Sequence, residues 1–178
     1  KYGYKNITKD TDINYPLNFT TASGKTYTIL PQINLEIAQE VQSQTGLVIP
    51  FESGKNVVEY IGGKGNFGEL RLTKDEGGKY YGVKVLKPSI GNLEEAREEA
   101  KLQQKLSGLP CLMPLLDMGE SKDKEGDSII YQVMPLASLG DGEQLAEYLQ
   151  TIKDTSFKES ILIHIAKSIL QGFVSMYR

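Results

Sequence analysis

The chain has a single cysteine, Cys111, so no disulfide can form within it and a reducing compartment such as the cytoplasm fits. It has a single histidine, His164, and one His with one Cys cannot build a metal-ligand cluster of those residue types. No apolar run reaches the roughly 18 residues of a membrane span. The opening stretch KYGYKNITKD lacks the apolar centre of an export signal. Positive charge is not in excess: 20 basic residues stand against 23 acidic ones, for a net charge of −3. With no arginine-rich stripe either, nucleic acid is not an expected partner. What is present is an ordinary balance for a soluble domain, 39% hydrophobic and 24% charged over 178 residues.

Residues 16–30 read as two short strands around Ala22-Ser23-Gly24-Lys25. Ile33, Ile37 and Val41 then repeat every four residues, and Gly46 suits a helix C-cap, so a short amphipathic helix follows. From 56 to 90 the period changes to two. GELRL alternates, TKDEGGK breaks, and YYGVKVLK alternates again, which reads as strand, turn, strand. Residues 93–106 are helical by composition. LMPLLDMG and SIIYQVMPL read as strands joined by the charged loop ESKDKEGD, DGEQLAEYL as a short helix, and KESILIHIAKSILQGFVSMYR as a long one. This order is not the strand–helix alternation of a parallel sheet, and an α+β fold is expected.

The stretch YIGGKGNFGELRL places glycines at 63, 65 and 68. A dinucleotide fingerprint needs a helix directly after its glycines. Here Gly68 is followed by an alternating strand, so the glycines belong to an antiparallel hairpin able to fold over a phosphate chain. Lys84 lies in the next strand, with Tyr80, Gly82 and Leu86 on its face. Set between Val83 and Val85, its ammonium calls for a counter-charge. The following helix offers Glu94, Glu95, Glu98 and Glu99. Glu98 shares its face with Glu94, Lys101 and Lys105 and reads as solvent. Glu99 shares its face with Ala96, Leu102 and Leu106, so it is the one expected to point inward. Two tempting matches fail. SGKT at 23–26 would need a glycine where Phe19 stands. LLDMG at 115–119 precedes the last strand and reads as a strand end. His164, in an apolar helix, reads as packing.

On these residues the chain resembles the N-terminal lobe of eukaryotic-like protein kinases. GKGNFGEL is similar to the family's glycine-rich loop, with Leu70 where valine is usual. YYGVKVL is similar to its lysine-bearing strand, with Gly82 where alanine is usual, and the spacings from Leu70 to Lys84 and from Lys84 to Glu99 are normal for the family. IIYQVMPLAS resembles the last strand and hinge, and SILQGFVSMY the long helix before the catalytic loop. The resemblance covers roughly 57–178. It implies three parts: an N-terminal extension over 1–55, an N-lobe over 56–136 with a five-stranded antiparallel sheet and a regulatory helix, and a hinge with the first C-lobe helices over 137–178.

The same resemblance implies ATP as the bound nucleotide. Gly63, Gly65, Asn66, Phe67 and Gly68 would cover its phosphates, with Lys84 on the α- and β-phosphates and Glu99 holding Lys84. Leu70 and Gly82 would lie against the base and Met134 beside it. The Pro135 carbonyl and the Ala137 N–H would meet its edge. The catalytic loop and the Mg²⁺ ligands would lie downstream of Arg178. The parent would then transfer the γ-phosphate to Ser or Thr of a protein substrate, and the 178 residues alone would be inactive. A pseudokinase or a kinase-derived protein-binding module is the alternative. Residues 1–55, outside the resemblance, and the hinge departures point to a bacterial effector kinase in a host cytosol. The helix over 158–177 is apolar almost all round, so a C-lobe or another chain is expected to pack on it.

Overall fold

The period-two stretches pair as antiparallel strands, and the helical stretches connect or cover them. A computed structural model describes residues 13–51, 54–58, 61–65, 68–87, 93–137 and 142–177. Its strands are β1 (Asn18–Thr20), β2 (Thr26–Ile29), β3 (Ile33–Asn34), β4 (Val57–Val58), β5 (Ile61–Gly65), β6 (Gly68–Asp75), β7 (Tyr80–Leu86), β8 (Asp117–Lys122) and β9 (Ser128–Met134). Its helices are α1 (Leu35–Thr45), α2 (Leu93–Leu106), α3 (Gly142–Thr151) and α4 (Thr155–Met176). The fold is a mixed α+β one.

Six strands follow one another in the order β1-β2-β6-β7-β9-β8, all antiparallel, and β5 pairs with β6 as a seventh. The long β6 serves two neighbours on one edge. Gly68, Glu69, Leu70 and Arg71 pair with β5, and Thr73, Lys74 and Asp75 pair with β2. The expected five-stranded sheet is therefore extended by the N-terminal hairpin. That hairpin also reaches round to the far edge. Thr21 bridges Gly119 of β8, and the Ala22 N–H donates to the Met118 carbonyl at 3.1 Å, so the sheet nearly closes into a barrel. Asp117, which the sequence left as a strand end, helps to seal the seam. Its Oδ2 accepts from the Thr21 hydroxyl at 2.8 Å and from the Ser23 hydroxyl.

Alternation decides what fills the barrel. Phe19, Tyr27, Ile29, Val83, Val85, Ile129, Tyr131 and Val133 point inward as one cluster, together with Tyr15. The rings of Phe19 and Tyr131 stack with centroids 4.1 Å apart. The opposite face carries a second cluster. There α1 and the β3–β4 pair bring Ile33, Val41, Leu47, Ile49 and Val58 onto Leu72 and Tyr80. Asn34 caps α1 by accepting from the Ile37 N–H at 2.8 Å, and Gly46 ends it in the left-handed conformation, φ 79°.

Two expectations change. The strand read over LMPLLDMG begins only at Asp117 and runs on through Glu120, Ser121 and Lys122. In α2 the buried position is Ala100, with Ala96, Gln103 and Leu106 partly covered, whereas Glu99 and Leu102 are exposed. The inward stripe thus centres on Ala100, keeping Ala96 and Leu106 of the expected face and losing Glu99 and Leu102.

Helix α4 meets the rest of the chain along Ile161, Ile165, Ser168, Gly172 and Ser175. At Gly172 a Cβ would stand 3.3 Å from the Cys111 carbonyl, so the missing side chain lets the helix approach that turn. Leu162, Ile163, Ile169, Leu170, Phe173 and Val174 are between 46% and 64% exposed. His164 is exposed as well, not packed as expected. No helix among the described residues is long and apolar enough to cross a membrane.

Candidate functional site

Cross-strand register places the sequence-derived residues on one face of three adjoining strands. Leu70 of β6, Lys84 of β7 and Gln132 of β9 form one row; Leu72, Gly82 and Met134 form the next. Opposed residues on one face have Cβ atoms about 5 Å apart, so each row is contiguous. This is the face that α2 covers, opposite the barrel interior.

The Lys84 ammonium donates to Glu99 Oε1 at 2.9 Å. The pair forms at the rim of the sheet–helix junction. The Lys84 side chain is 36% exposed and that of Glu99 57%. The expected apolar setting for the ammonium is therefore corrected: its strand neighbours Val83 and Val85 point into the barrel, and the lysine itself stays half in water. Such a pair contributes ~0.2–1 kcal/mol to stability, too little to be the reason a sheet keeps a lysine there. Helix α2, and Glu99 with it, is clasped to β8. Arg97 donates to both carboxylate oxygens of Glu120, at 2.9 and 2.8 Å, and to Glu94 at 2.7 Å. The hydrogen bonds from Arg97 hold the Glu120 carboxyl below the ordinary glutamate value of 4.5.

The glycines divide by cause. Gly65 pairs with Gly68 at the end of the β5–β6 hairpin, and Gly63 pairs with Leu70 beyond a register shift. A Cβ on Gly68 would fall 2.2 Å from the Val85 carbonyl oxygen. The bare backbone at 68 thus has a reason inside the fold, the crossing of β7, whatever ligand lies nearby. Gly82 differs. Its backbone is not left-handed, it is buried, and a Cβ there would meet Leu70 Cδ1 at 3.5 Å, Met134 Cγ at 3.5 Å and Leu136 Cδ2 at 3.6 Å. These are ordinary contacts, so alanine would fit. Neither backbone conformation nor packing demands glycine at 82. Asn66 and Phe67, expected at the tip of the hairpin, lie outside the described residues.

Beyond the last ladder residue of β9, Pro135 is half-buried and Ala137 exposed. Between them Leu136 turns its side chain back toward Gly82. Leu136 was missed in the sequence, although Gln132, Met134 and Leu136 continue the period of two. Gln132 was missed too. It is fully buried, and neither its amide nitrogen nor its amide oxygen has a partner among the described residues. Leu70, Gly82, Met134 and Leu136 together make an apolar surface on the face that carries Lys84.

Among the described residues the acidic groups that converge are Asp123, Glu125 and Asp127, in the β8–β9 turn. Asp123 Oδ1 there accepts the N–H groups of Glu125 and Asp127 at 2.9 Å, which is the wiring of a tight turn. The carboxylate at Lys84 is the already paired Glu99, so the described residues around the lysine supply no ligand set for Mg²⁺. No protein-family model matches the chain, and no curated protein matches it.

Proposed function

We propose that this chain is the ATP-binding part of a protein kinase. The observation that carries the reading is the Lys84–Glu99 pair, joined from strand to helix beside an apolar surface centred on Gly82. The β5–β6 hairpin lies next to β7, where its backbone N–H groups can cover phosphates. Lys84 neutralises the α- and β-phosphates, and Glu99 positions it. The base lies on Leu70, Gly82 and Met134, with Leu136 behind Gly82. The Pro135 carbonyl and the Ala137 N–H take its edge; proline keeps the carbonyl that this needs.

ATP, with Mg²⁺ bound by residues downstream in the parent protein, would supply the phosphoryl group. Within this chain the residues bind and orient the nucleotide. Ser or Thr of a protein substrate would receive the phosphate, and a cytosolic setting, in a host cell if the parent is a bacterial effector, fits the same reading. A second reading, a kinase-derived module that binds protein, is favoured by the apolar side chains that α4 leaves in water.

Titration calorimetry of ATP with the wild-type chain and with Lys84→Ala tests the choice. Binding by the first and its loss in the second supports the nucleotide site. An inert wild-type chain removes that site and leaves the protein-binding module.

A further inference from the structure

The N-terminal unit β3–α1–β4 is fastened to the sheet at one end of the proposed base site. Tyr80 donates its hydroxyl to Glu40, Lys74 Nζ donates to the same carboxylate at 3.3 Å, Gln44 Nε2 donates to the Gly78 carbonyl at 3.1 Å, and the Tyr80 N–H donates to Gln44 Oε1 at 3.2 Å. These bonds lock α1 onto the β6–β7 hairpin. Leu136, half-buried just beyond β9, packs against the apolar cluster that α1 and the β3–β4 pair form with Leu72 and Tyr80 of the sheet. Leu136 also lies against Gly82. One side chain thus joins the cluster that the N-terminal unit covers to the surface assigned to the base.

Its place in the backbone gives that sharing a consequence. The Pro135 carbonyl and the Ala137 N–H belong to the two planar peptide units that flank the Leu136 Cα. Each unit is rigid, so the two torsions at Leu136 set the directions of both groups. Packing of the Leu136 side chain narrows the range of those torsions, because rotamer and backbone are coupled. We infer that Leu136 is a positioning residue through which the β3–α1–β4 unit sets the hydrogen-bonding edge for the base. This rests on the nucleotide reading and deepens it: the N-terminal unit regulates the site without touching the ligand. The coupling is reciprocal, so a bound nucleotide must steady α1 by the same factor.

The test uses the 178-residue chain with two probes, ADP and inorganic tripolyphosphate. The second has phosphates but no base. Leu136→Ala, and Val41→Ala in the core under α1, are each expected to weaken ADP by about 5- to 50-fold and leave tripolyphosphate unchanged. Leu136→Met should restore ADP binding. ADP should also slow amide exchange over residues 35–45 in the wild-type chain. If the wild-type chain binds neither probe, the nucleotide reading falls and the inference falls with it. If it binds ADP and the variants bind it equally well, with exchange in α1 unmoved, the inference alone is overturned. Equal loss of both probes also overturns it, since that reports general loosening. Should Leu136→Ala fail to fold, Val41→Ala and the exchange measurement decide.

Discussion

Replacing Gln132 by methionine should make the protein more stable. Gln132 is 0% exposed, and both polar atoms of its amide lack partners among the described residues. Burial takes those atoms away from water and returns nothing. An orphaned buried group costs about 1–3 kcal/mol, while an apolar group of the same shape avoids the cost. Methionine has nearly the length and flexibility of glutamine, so the row with Lys84 and Met118 can keep its spacing. A chain of this size gains about 2–4 °C in Tm per kcal/mol, which puts the expected rise at about 2–12 °C. Thermal unfolding followed by circular dichroism measures it. Thr73→Val is the matched control. Thr73 is equally buried, but its hydroxyl donates to the Thr28 carbonyl at 2.8 Å, so its removal should lower Tm. A fall in Tm for Gln132→Met would refute the reasoning and mean that the amide has a partner in solution.

Lys84→Ala should change the unfolding free energy by less than about 1 kcal/mol, since it removes a half-solvated pair, while abolishing ATP binding; calorimetry and thermal unfolding on one sample separate the two effects. Gly82→Ala should raise Tm slightly and leave ATP binding in place, since the added Cβ meets its neighbours at ordinary contact distance; thermal unfolding and calorimetry check both, and lost ATP binding would refute the expectation. Glu120 has a carboxyl held below its unfolded value, so its contribution is complete above pH 4.5 and is lost as pH falls through the lower folded value. Arg97→Leu should therefore flatten the decline of Tm on acidification from neutral pH. Leu170→Glu with Phe173→Glu, both on the exposed side of α4, should raise the monomer fraction in sedimentation velocity without lowering Tm; a wild-type chain that is wholly monomeric at all concentrations would refute the sticky-helix argument.

Local signals carried far into this fold. The α2 bounds, the α1 cap at Gly46 and the β6–β7 alternation depend on neighbours a few residues away, and all are legible. The Lys84–Glu99 pairing was legible from the strand and helix periods, although Glu99 reaches the lysine from the exposed rim of α2 and not from its buried face. The start of β8 was not. Leu115 and Leu116 look like strand, and the Leu116 N–H does donate to the Val133 carbonyl at 2.8 Å, but the ladder itself runs from Asp117 to Lys122, because a strand at the end of the sheet row tolerates charge on its outer face. The inward stripe of α2 was misjudged at Glu99 and Leu102. The Arg97–Glu120 clasp and the hydrogen bonds between Ser107 and Leu115 rotate the helix, and both involve partners beyond α2. Leu136 and the barrel seam depend on contacts between distant segments, which no local pattern encodes.

The seam also orders events in time. Thr21 and Asp117 are 96 residues apart in the chain, and the Tyr131 hydroxyl that meets the Pro16 carbonyl is 115 residues from it. A nascent hairpin of β1 and β2 emerges first but finds neither β6 nor β8 to pair with. It must stay unsatisfied until almost the whole sheet has been synthesised. Such distant pairings make folding slow, because the loops between them must close before any contact rewards the closure. Until then the outer edges of β6 and β8 are open strands that can recruit a neighbouring chain. The hairpin is thus the last stave to be set, and the interval before it is set is when the protein is most exposed to aggregation.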